Sequence, residues 1–217
     1  MSVRKISNRG GNTIGHFPSL KLDRMVAFES LIERDFIYVL DFEPDVTWFA
    51  EQPLTIPYQY NEKTLSYTPD FHVIKGDLNF LIECKPQKLI GKDDNQRKFV
   101  AAQAWCASSG WVFQVISDEQ LRRGHRVRNI KLLTQFARYS IGPQVKHRIR
   151  AFLADTPNPV RVADVMVSVA PERPQTIIIP ILHLAFHHEL VLPLDEAPIS
   201  TNSPVRLVSQ VGKERYA

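Results

Sequence analysis

Met25, Phe28, Ile32, Phe36 and Val39 recur at intervals of three and four residues, the spacing of one helical face. The pattern predicts an amphipathic helix over residues 25–40, closed by Pro44. Beyond it the periodicity shortens toward two, and strands are expected at 46–49 leading into 54–60, then at 65–74 and 78–85. Gly76 and Asp77 between the last two read as a hairpin turn, which makes those strands antiparallel neighbours. A second helix fits 93–108 and ends at Gly110. Residues 111–116 then form a short apolar strand suited to burial, so the order is α, β, β, β, α, β.

After Ser117 a basic helical stretch runs to about Tyr139, and Ile141-Gly142-Pro143 reads as a domain boundary. Helices are expected at 146–153, 161–169 and 175–189, with Pro180 inside the third, followed by a small hairpin from 190–194 and 205–208. Three helices and a hairpin suggest a winged helix-turn-helix. Residues 1–22, with Arg4, Lys5, Arg9, Lys21 and no periodicity, read as a flexible basic arm. The expected organisation is therefore an arm (1–22), an α/β domain (23–140) and a winged-helix-like domain (141–217).

The chain's 217 residues, 44% hydrophobic and 23% charged, suffice for ordinary cores and exclude disorder, collagen and coiled coil. No run approaches the roughly 20 apolar residues of a bilayer span, and the basic start lacks a secretory apolar core. A cytoplasmic protein without membrane partners is expected. Cys84 and Cys106 read as reduced thiols outside any zinc or redox pair. The net charge of +4 is unevenly spread. Residues 29–51 carry Glu29, Glu33, Asp35, Asp41, Glu43, Asp45 and Glu51 against Arg34 alone, whereas 121–131 carry Arg122, Arg123, Arg126, Arg128 and Lys131 without an acid. An acidic module beside a basic stripe suits a metal-dependent enzyme acting on a polyanion, with the stripe on the DNA backbone.

Chemistry concentrates in Tyr67-Thr68-Pro69-Asp70-Phe71 and, across the hairpin, Ile82-Glu83-Cys84-Lys85. Period two puts Glu83 and Lys85 on one face, and an antiparallel partner entering through Asp70 brings a second carboxylate toward it. Two hard carboxylates can hold Mg²⁺ and leave positions for a scissile phosphate and water. Lys85 then stabilises charge on the phosphorane or orients the nucleophile. The Cys84 side chain faces away, so Cys84 could serve a metal only through its backbone carbonyl. A further acid is expected from the first helix, where Glu29 and Glu33 lie one turn apart and amphipathicity does not choose between them.

These residues resemble the PD-(D/E)xK nucleases and, within them, the TnsA endonucleases of heteromeric cut-and-paste transposons. Ser30-Leu31-Ile32-Glu33-Arg34-Asp35, Leu40-Asp41-Phe42-Glu43-Pro44-Asp45-Val46 and Glu51-Gln52-Pro53-Leu54 are similar to TnsA amino-terminal segments in the same order. The resemblance covers about residues 25–135 and implies a restriction-endonuclease-like αβββαβ core. It selects Glu33 over Glu29, and implies catalytic roles for Glu33, Asp70, Glu83 and Lys85. The metal, Mg²⁺ with Mn²⁺ as substitute, falls to Glu33, Asp70, Glu83 and Cys84. Glu83 stands where TnsA proteins can carry glutamine.

The resemblance further implies nicking of the 5′ ends of a transposon in double-stranded DNA, at the nucleoid, beside a DDE transposase (TnsB) and an AAA+ ATPase (TnsC). Two rivals stand beside it: a free-standing restriction-type or junction-resolving nuclease, and a non-catalytic DNA-binding adaptor. His183 and His187 have helical i, i+4 spacing but no third ligand, so structural or phosphate-contacting roles are expected. Trp105 and Trp111 are expected in the core. Lys146, His147, Arg148 and Arg150 form a second basic cluster facing DNA or an acidic partner.

Overall fold

The structure, a computed structural model, describes residues 13–156 and 159–208. The packing divides it into two units, meeting between Arg123 and Gly124. Among the described residues no helix is long and apolar enough to cross a membrane.

The first unit begins with β1 (Gly15–Ser19) and β2 (Arg24–Phe28), an antiparallel hairpin, followed by α1 (Leu31–Phe42). This corrects two expectations. Of the arm assigned to 1–22, residues 15–19 are strand, while 1–12 lie outside the described residues. The helix expected from residue 25 starts instead at 31, because Ser30 is its N-cap and accepts the Glu33 N–H at 3.1 Å. Val26 and Phe28 are buried and Met25 is exposed, the alternation of a strand. The coincidence of Met25 and Phe28 with a helical interval hid it.

The hairpin is tied to the helix by buried Asp41. Its carboxylate accepts from the Ser19 hydroxyl and from the Leu20 and Lys21 N–H groups, the latter two at 3.1 and 3.0 Å. Lys21 Nζ in turn donates to the Leu40 and Glu43 carbonyls, so a cation covers the carbonyl end of α1.

Then come β3 (Val46–Glu51), β4 (Ile56–Tyr60), β5 (Lys63–Tyr67), β6 (Phe71–Lys75), β7 (Leu78–Lys85), the short α2 (Gln87–Ile90), α3 (Asp93–Ser109), β8 (Val112–Ser117) and α4 (Asp118–Arg122). The central sheet has the order β3-β6-β7-β8, with β6 antiparallel to both β3 and β7, and β8 parallel to β7. The hairpin at Gly76-Asp77 is as expected. The single strand expected over 65–74 is two strands: β5 pairs only with β4, and β6 joins the central sheet. Pro69, with no N–H to give a ladder, sits at the break.

Period two along the central strands fills both faces. Phe49, Phe71, Val73, Ile82 and Cys84 pack with Phe36, Ile37 and Leu40 of α1 and with Phe17, Val26 and Phe28 of the first hairpin. Leu81 faces the other way, with Ala102 and Cys106 of α3, Ile56 and Tyr67. Each fully buried Phe contributes about 1.5–3 kcal/mol by leaving water. The result is a mixed α/β unit with several sheets, consistent with a nuclease-like core.

The second unit contains α5 (Arg126–Phe136), α6 (Pro143–Asp155), β9 (Val160–Arg161), α7 (Val162–Val169), a 3-10 turn (Pro174–Ile177), α8 (Ile178–Phe186), β10 (Leu190–Val191) and β11 (Pro204–Leu207). Its sheet order is β10-β11-β9, antiparallel throughout. The sequence places the boundary at 140–141. The packing puts it seventeen residues earlier, since α5 packs on α8 and its buried Asn129 donates to the Leu194 and Ala197 carbonyls, both at 2.8 Å. Pro180 lies in the first turn of α8, where no intrahelical bond needs its N–H.

Candidate active site

Asp70 is fixed through its backbone before its side chain does anything. Its N–H donates to the Ile82 carbonyl at 3.0 Å, and its own carbonyl accepts from the Gln52 N–H at 2.7 Å. The break at Pro69 thus leaves Asp70 stitched between the end of β3 and the body of β7. Its Oδ2 accepts the Cys84 N–H at 2.7 Å. Burial, followed by the negative charges of Glu83 and Glu33, pushes the Asp70 carboxyl well above its ordinary range; Lys85 and the Cys84 N–H only partly oppose this.

Glu83 and Lys85 share a face, as alternation requires, and form an ion pair with Nζ 2.6 Å from Oε1. The other Glu83 oxygen accepts the hydroxyl of Tyr67, the last residue of β5, at 2.7 Å. Burial and the Glu83 carboxylate push the Tyr67 phenol far above its usual value, so it remains a donor. Burial lowers the affinity of Lys85 for its proton, but Glu83, Asp70 and Glu33 together outweigh it and raise the pKa. Lys85 is therefore a standing cation at neutral pH. The Cys84 thiol faces the α1 side among apolar residues, and burial pushes its pKa well up. It is unsuited to bind a metal through sulfur.

Glu33 occupies the third position of α1, and its Oε2 accepts the Glu29 N–H at 2.8 Å. Burial first, with the charges of Glu29 and Glu83, raises its carboxyl pKa against the pull of that N–H and of Ser30. Glu29 is not one turn below Glu33 on the helix, because it precedes the N-cap. Neither Lys21 nor Arg24 is its partner: Lys21 serves α1, and Arg24 forms a two-pronged pair with Glu51 at 2.9 and 2.7 Å. Glu29, Glu33, Asp70, Glu51 and Gln52 line one small cleft.

The cluster is thus rich in hard oxygen donors and short of positive charge, which suits a divalent cation rather than a soft metal. Among the described residues no three His, Cys, Asp or Glu side chains stand together at metal-ligand spacing. Lys85, on Glu83, is the cation that balances the arrangement as it stands. Tyr67 is the member whose part sequence reasoning missed: it stands inside the Tyr67-Thr68-Pro69-Asp70 segment, but its reach to Glu83 depends on the separation of β5 from β6.

The basic residues do not lie on one continuous helix. Gly124, in the left-handed region at φ 65°, ends the stretch expected to be a continuous helix. A Cβ there would stand 2.7 Å from the Asp195 carbonyl oxygen. Arg122 and Arg123 end the first unit, with Arg122 3.7 Å from Asp118. Arg126, Arg128 and Lys131 lie on α5 of the second, with Arg126 3.2 Å from Asp195. In the second cluster, Lys146 and Arg150 both pair with Glu189. His183 and His187 meet the Phe136 and Ala137 carbonyls at 3.2 and 2.9 Å, a structural role at the end of α5. Trp105 and Trp111 pack edge to face, half-buried, with His72 stacked on Trp111.

Residues 43–118 match the family model of the TnsA-like endonuclease N-terminal domain. The matched segment contains Gln52, Tyr67, Asp70, Glu83, Cys84 and Lys85, while Glu29 and Glu33 precede it. No curated protein matches the chain.

Proposed function

We propose that this chain, whose residues 43–118 belong to the TnsA-like endonuclease N-terminal family, is a metal-dependent DNA endonuclease of a cut-and-paste transposition machine. It nicks the 5′ ends of the transposon while a DDE transposase of the TnsB type cuts the 3′ ends under an AAA+ ATPase of the TnsC type. The observation that carries the reading is the convergence, within the matched segment, of Asp70 with the Glu83–Lys85 pair. Glu33 supplies the further acid from α1. This core is read as the PD-(D/E)xK nuclease fold.

Glu33, Asp70 and Glu83 would hold the Mg²⁺, with the Cys84 backbone carbonyl beside them and Mn²⁺ as a substitute. The bound cation supplies Lewis acidity toward a phosphoryl oxygen and a water made acidic enough to attack. The chain's own residues do the rest. Lys85, kept charged, stabilises negative charge growing on the phosphate. Tyr67 holds the carboxylate of Glu83 in place from the side opposite Lys85. The Cys84 N–H orients Asp70 so that its other oxygen remains for binding.

The second unit is read as a winged helix that binds DNA or a partner. This is supported by the succession α6, β9, α7, α8, β10, β11 and the sheet order β10-β11-β9. Arg122, Arg123, Arg126, Arg128 and Lys131 are assigned to DNA phosphates as two separate groups.

The test is strand-resolved cleavage of a labelled transposon end in Mg²⁺, with and without the cognate transposase and ATPase, comparing the native chain with Asp70→Ala. Partner-dependent 5′-strand nicking that is lost in the variant is expected. Cleavage by the chain alone would favour a free-standing nuclease, and no 5′-strand cleavage in the complete mixture would favour the non-catalytic adaptor.

A further inference from the structure

β4 and β5 form a ribbon that pairs with no other strand. Both of its roots are at the cleft: Gln52 and Asp70 line it and are joined through the Gln52 N–H and the Asp70 carbonyl, and the ribbon springs from just beyond them. Asn61 and Glu62, with left-handed φ of 47° and 60°, make the tight turn at its far end. The register sends alternate residues to opposite faces. On the inner face Ile56, Tyr58 and Tyr67 pack with Ala102 and Cys106 of α3, and the Arg97 guanidinium of α3 stands 4.0 Å over the Tyr60 ring.

The outer face has a different chemistry. Thr55 and Thr68 share a hydrogen bond at 2.9 Å, Pro57 stands opposite Ser66, and the Gln59 amide donates to the Thr64 hydroxyl at 2.9 Å. All are exposed except Thr68, which is half-buried. The face carries no acid and no large apolar side chain, and Glu62, the ribbon's one carboxylate, lies in the turn. Each bonded pair spends one donor and keeps another, because a hydroxyl that accepts still has its own hydrogen to give and an amide has two. Small neutral donors of this kind grip the sugar–phosphate oxygens of DNA, whereas protein interfaces favour aromatic residues, Met and Arg and are poor in serine. With its inner face on α3, the ribbon has one face to offer and lies along a strand rather than inside a groove. Its five residues per strand extend about 17 Å, the axial span of about five nucleotides of one DNA strand.

We propose that the outer face of this ribbon is a DNA-binding surface, on which Thr55, Gln59, Thr64, Ser66 and Thr68 hold the sugar–phosphate backbone of the duplex that flanks the scissile phosphate. The inference rests on the nuclease reading and adds to it the surface that receives the flanking DNA. These contacts are neutral, unlike those of the arginines and Lys131. They release no counterions, so their removal weakens binding without changing its dependence on salt.

The test is fluorescence anisotropy of a labelled duplex carrying the transposon end, titrated with the full chain in Ca²⁺ over a range of salt concentrations. The native chain is compared with Ser66→Glu, Ser66→Lys and, as a control for net charge, Leu78→Glu, an exposed position at the opposite end of β7 from Glu83. Ser66→Glu is expected to weaken binding at least about fivefold and Leu78→Glu less than about twofold. Ser66→Lys is expected to tighten binding and steepen the log–log salt slope by about 0.9, a gain that damage to the fold could not produce. Should Ser66→Glu fail to fold, Ser66→Lys decides alone. The proposal is overturned if the native chain does not bind the duplex, if both Ser66 variants weaken binding, or if Ser66→Glu behaves as Leu78→Glu does. Unchanged duplex binding with loss of partner-dependent nicking would assign the face to a protein instead and overturn it too. An Asp70→Ala chain that still cleaves in Mg²⁺ would sink the proposed metal centre while leaving the ribbon's DNA contact standing.

Discussion

Tyr67 and Lys85 divide the carboxylate of Glu83 between them: the phenol donates to Oε2 at 2.7 Å and the ammonium sits 2.6 Å from Oε1. Glu83 is thereby immobilised by one residue of its own strand and one from a different sheet. Removing the phenolic hydroxyl strands a buried oxygen. Tyr67→Phe is expected to lower stability by about 1–3 kcal/mol, read by urea denaturation, and to slow cleavage about tenfold by loosening Glu83. Unchanged cleavage across a range of Mg²⁺ concentrations would show that Glu83 needs no such support.

Lys85→Met removes the cation and leaves Glu83, only 5% exposed at its side chain, without its ion-pair partner. Breaking a buried pair from one side costs about 3–5 kcal/mol, and the partial exposure of Lys85 places this case at or below the low end. The expected result is a lower melting temperature together with loss of cleavage, whereas Lys85→Arg should recover stability more than activity. Cleavage at the native rate in Lys85→Met would remove the lysine from the mechanism.

Asp70→Asn should separate activity from stability in the opposite direction. Burial and the charges of Glu83 and Glu33 raise the folded-state pKa of Asp70 above its ordinary 3.8, and Glu33 is raised likewise above 4.5. Between the ordinary and raised values the folded chain binds more protons than the unfolded one, so stability is highest on the acid side and falls as pH rises through the folded pKa. Asparagine carries no such charge and still accepts the Cys84 N–H. The metal-free variant is expected to melt above the native chain at neutral pH, with a weaker pH dependence, and to be inactive. Melting curves from about pH 4 to pH 8 check this; a lower neutral-pH melting temperature would refute it.

Gly124→Ala meets two obstacles at once, a left-handed backbone and the Asp195 carbonyl oxygen 2.7 Å from the added carbon. A loss of about 1–3 kcal/mol is expected, concentrated in the second unit and visible by hydrogen exchange in α5 before the central sheet. A uniform loss through both units would contradict the division at Arg123.

Much of the centre was legible because alternation is a local property. Glu83 and Lys85 had to share a face, Cys84 had to leave it, and the turn at Gly76-Asp77 had to pair β6 with β7. What escaped depended on neighbours distant in the chain. Val26 and Phe28 are strand residues because Phe17 pairs across from Val26, and nothing between residues 25 and 28 forbids a helix. The separation of β5 from β6 is marked only by Pro69, and without it Tyr67 has no route to Glu83. The basic run looked continuous because its charges are adjacent, while Gly124, the residue that divides it, carries no charge. Glu29 has helical spacing from Glu33 in the sequence, yet it precedes the N-cap Ser30 and lines the cleft from there.

The first hairpin and α1 bear on what counts as the smallest functional piece. Phe17, Val26 and Phe28 pack in the same apolar cluster as Phe49 and Phe71, and the last residue of β1 with the turn after it supplies three donors to Asp41. The segment that matches by similarity, 43–118, consequently lacks its own cover: excised by itself it would present one side of the central sheet to water. A fragment cut to those limits would also leave Glu33 and the whole of α1 behind.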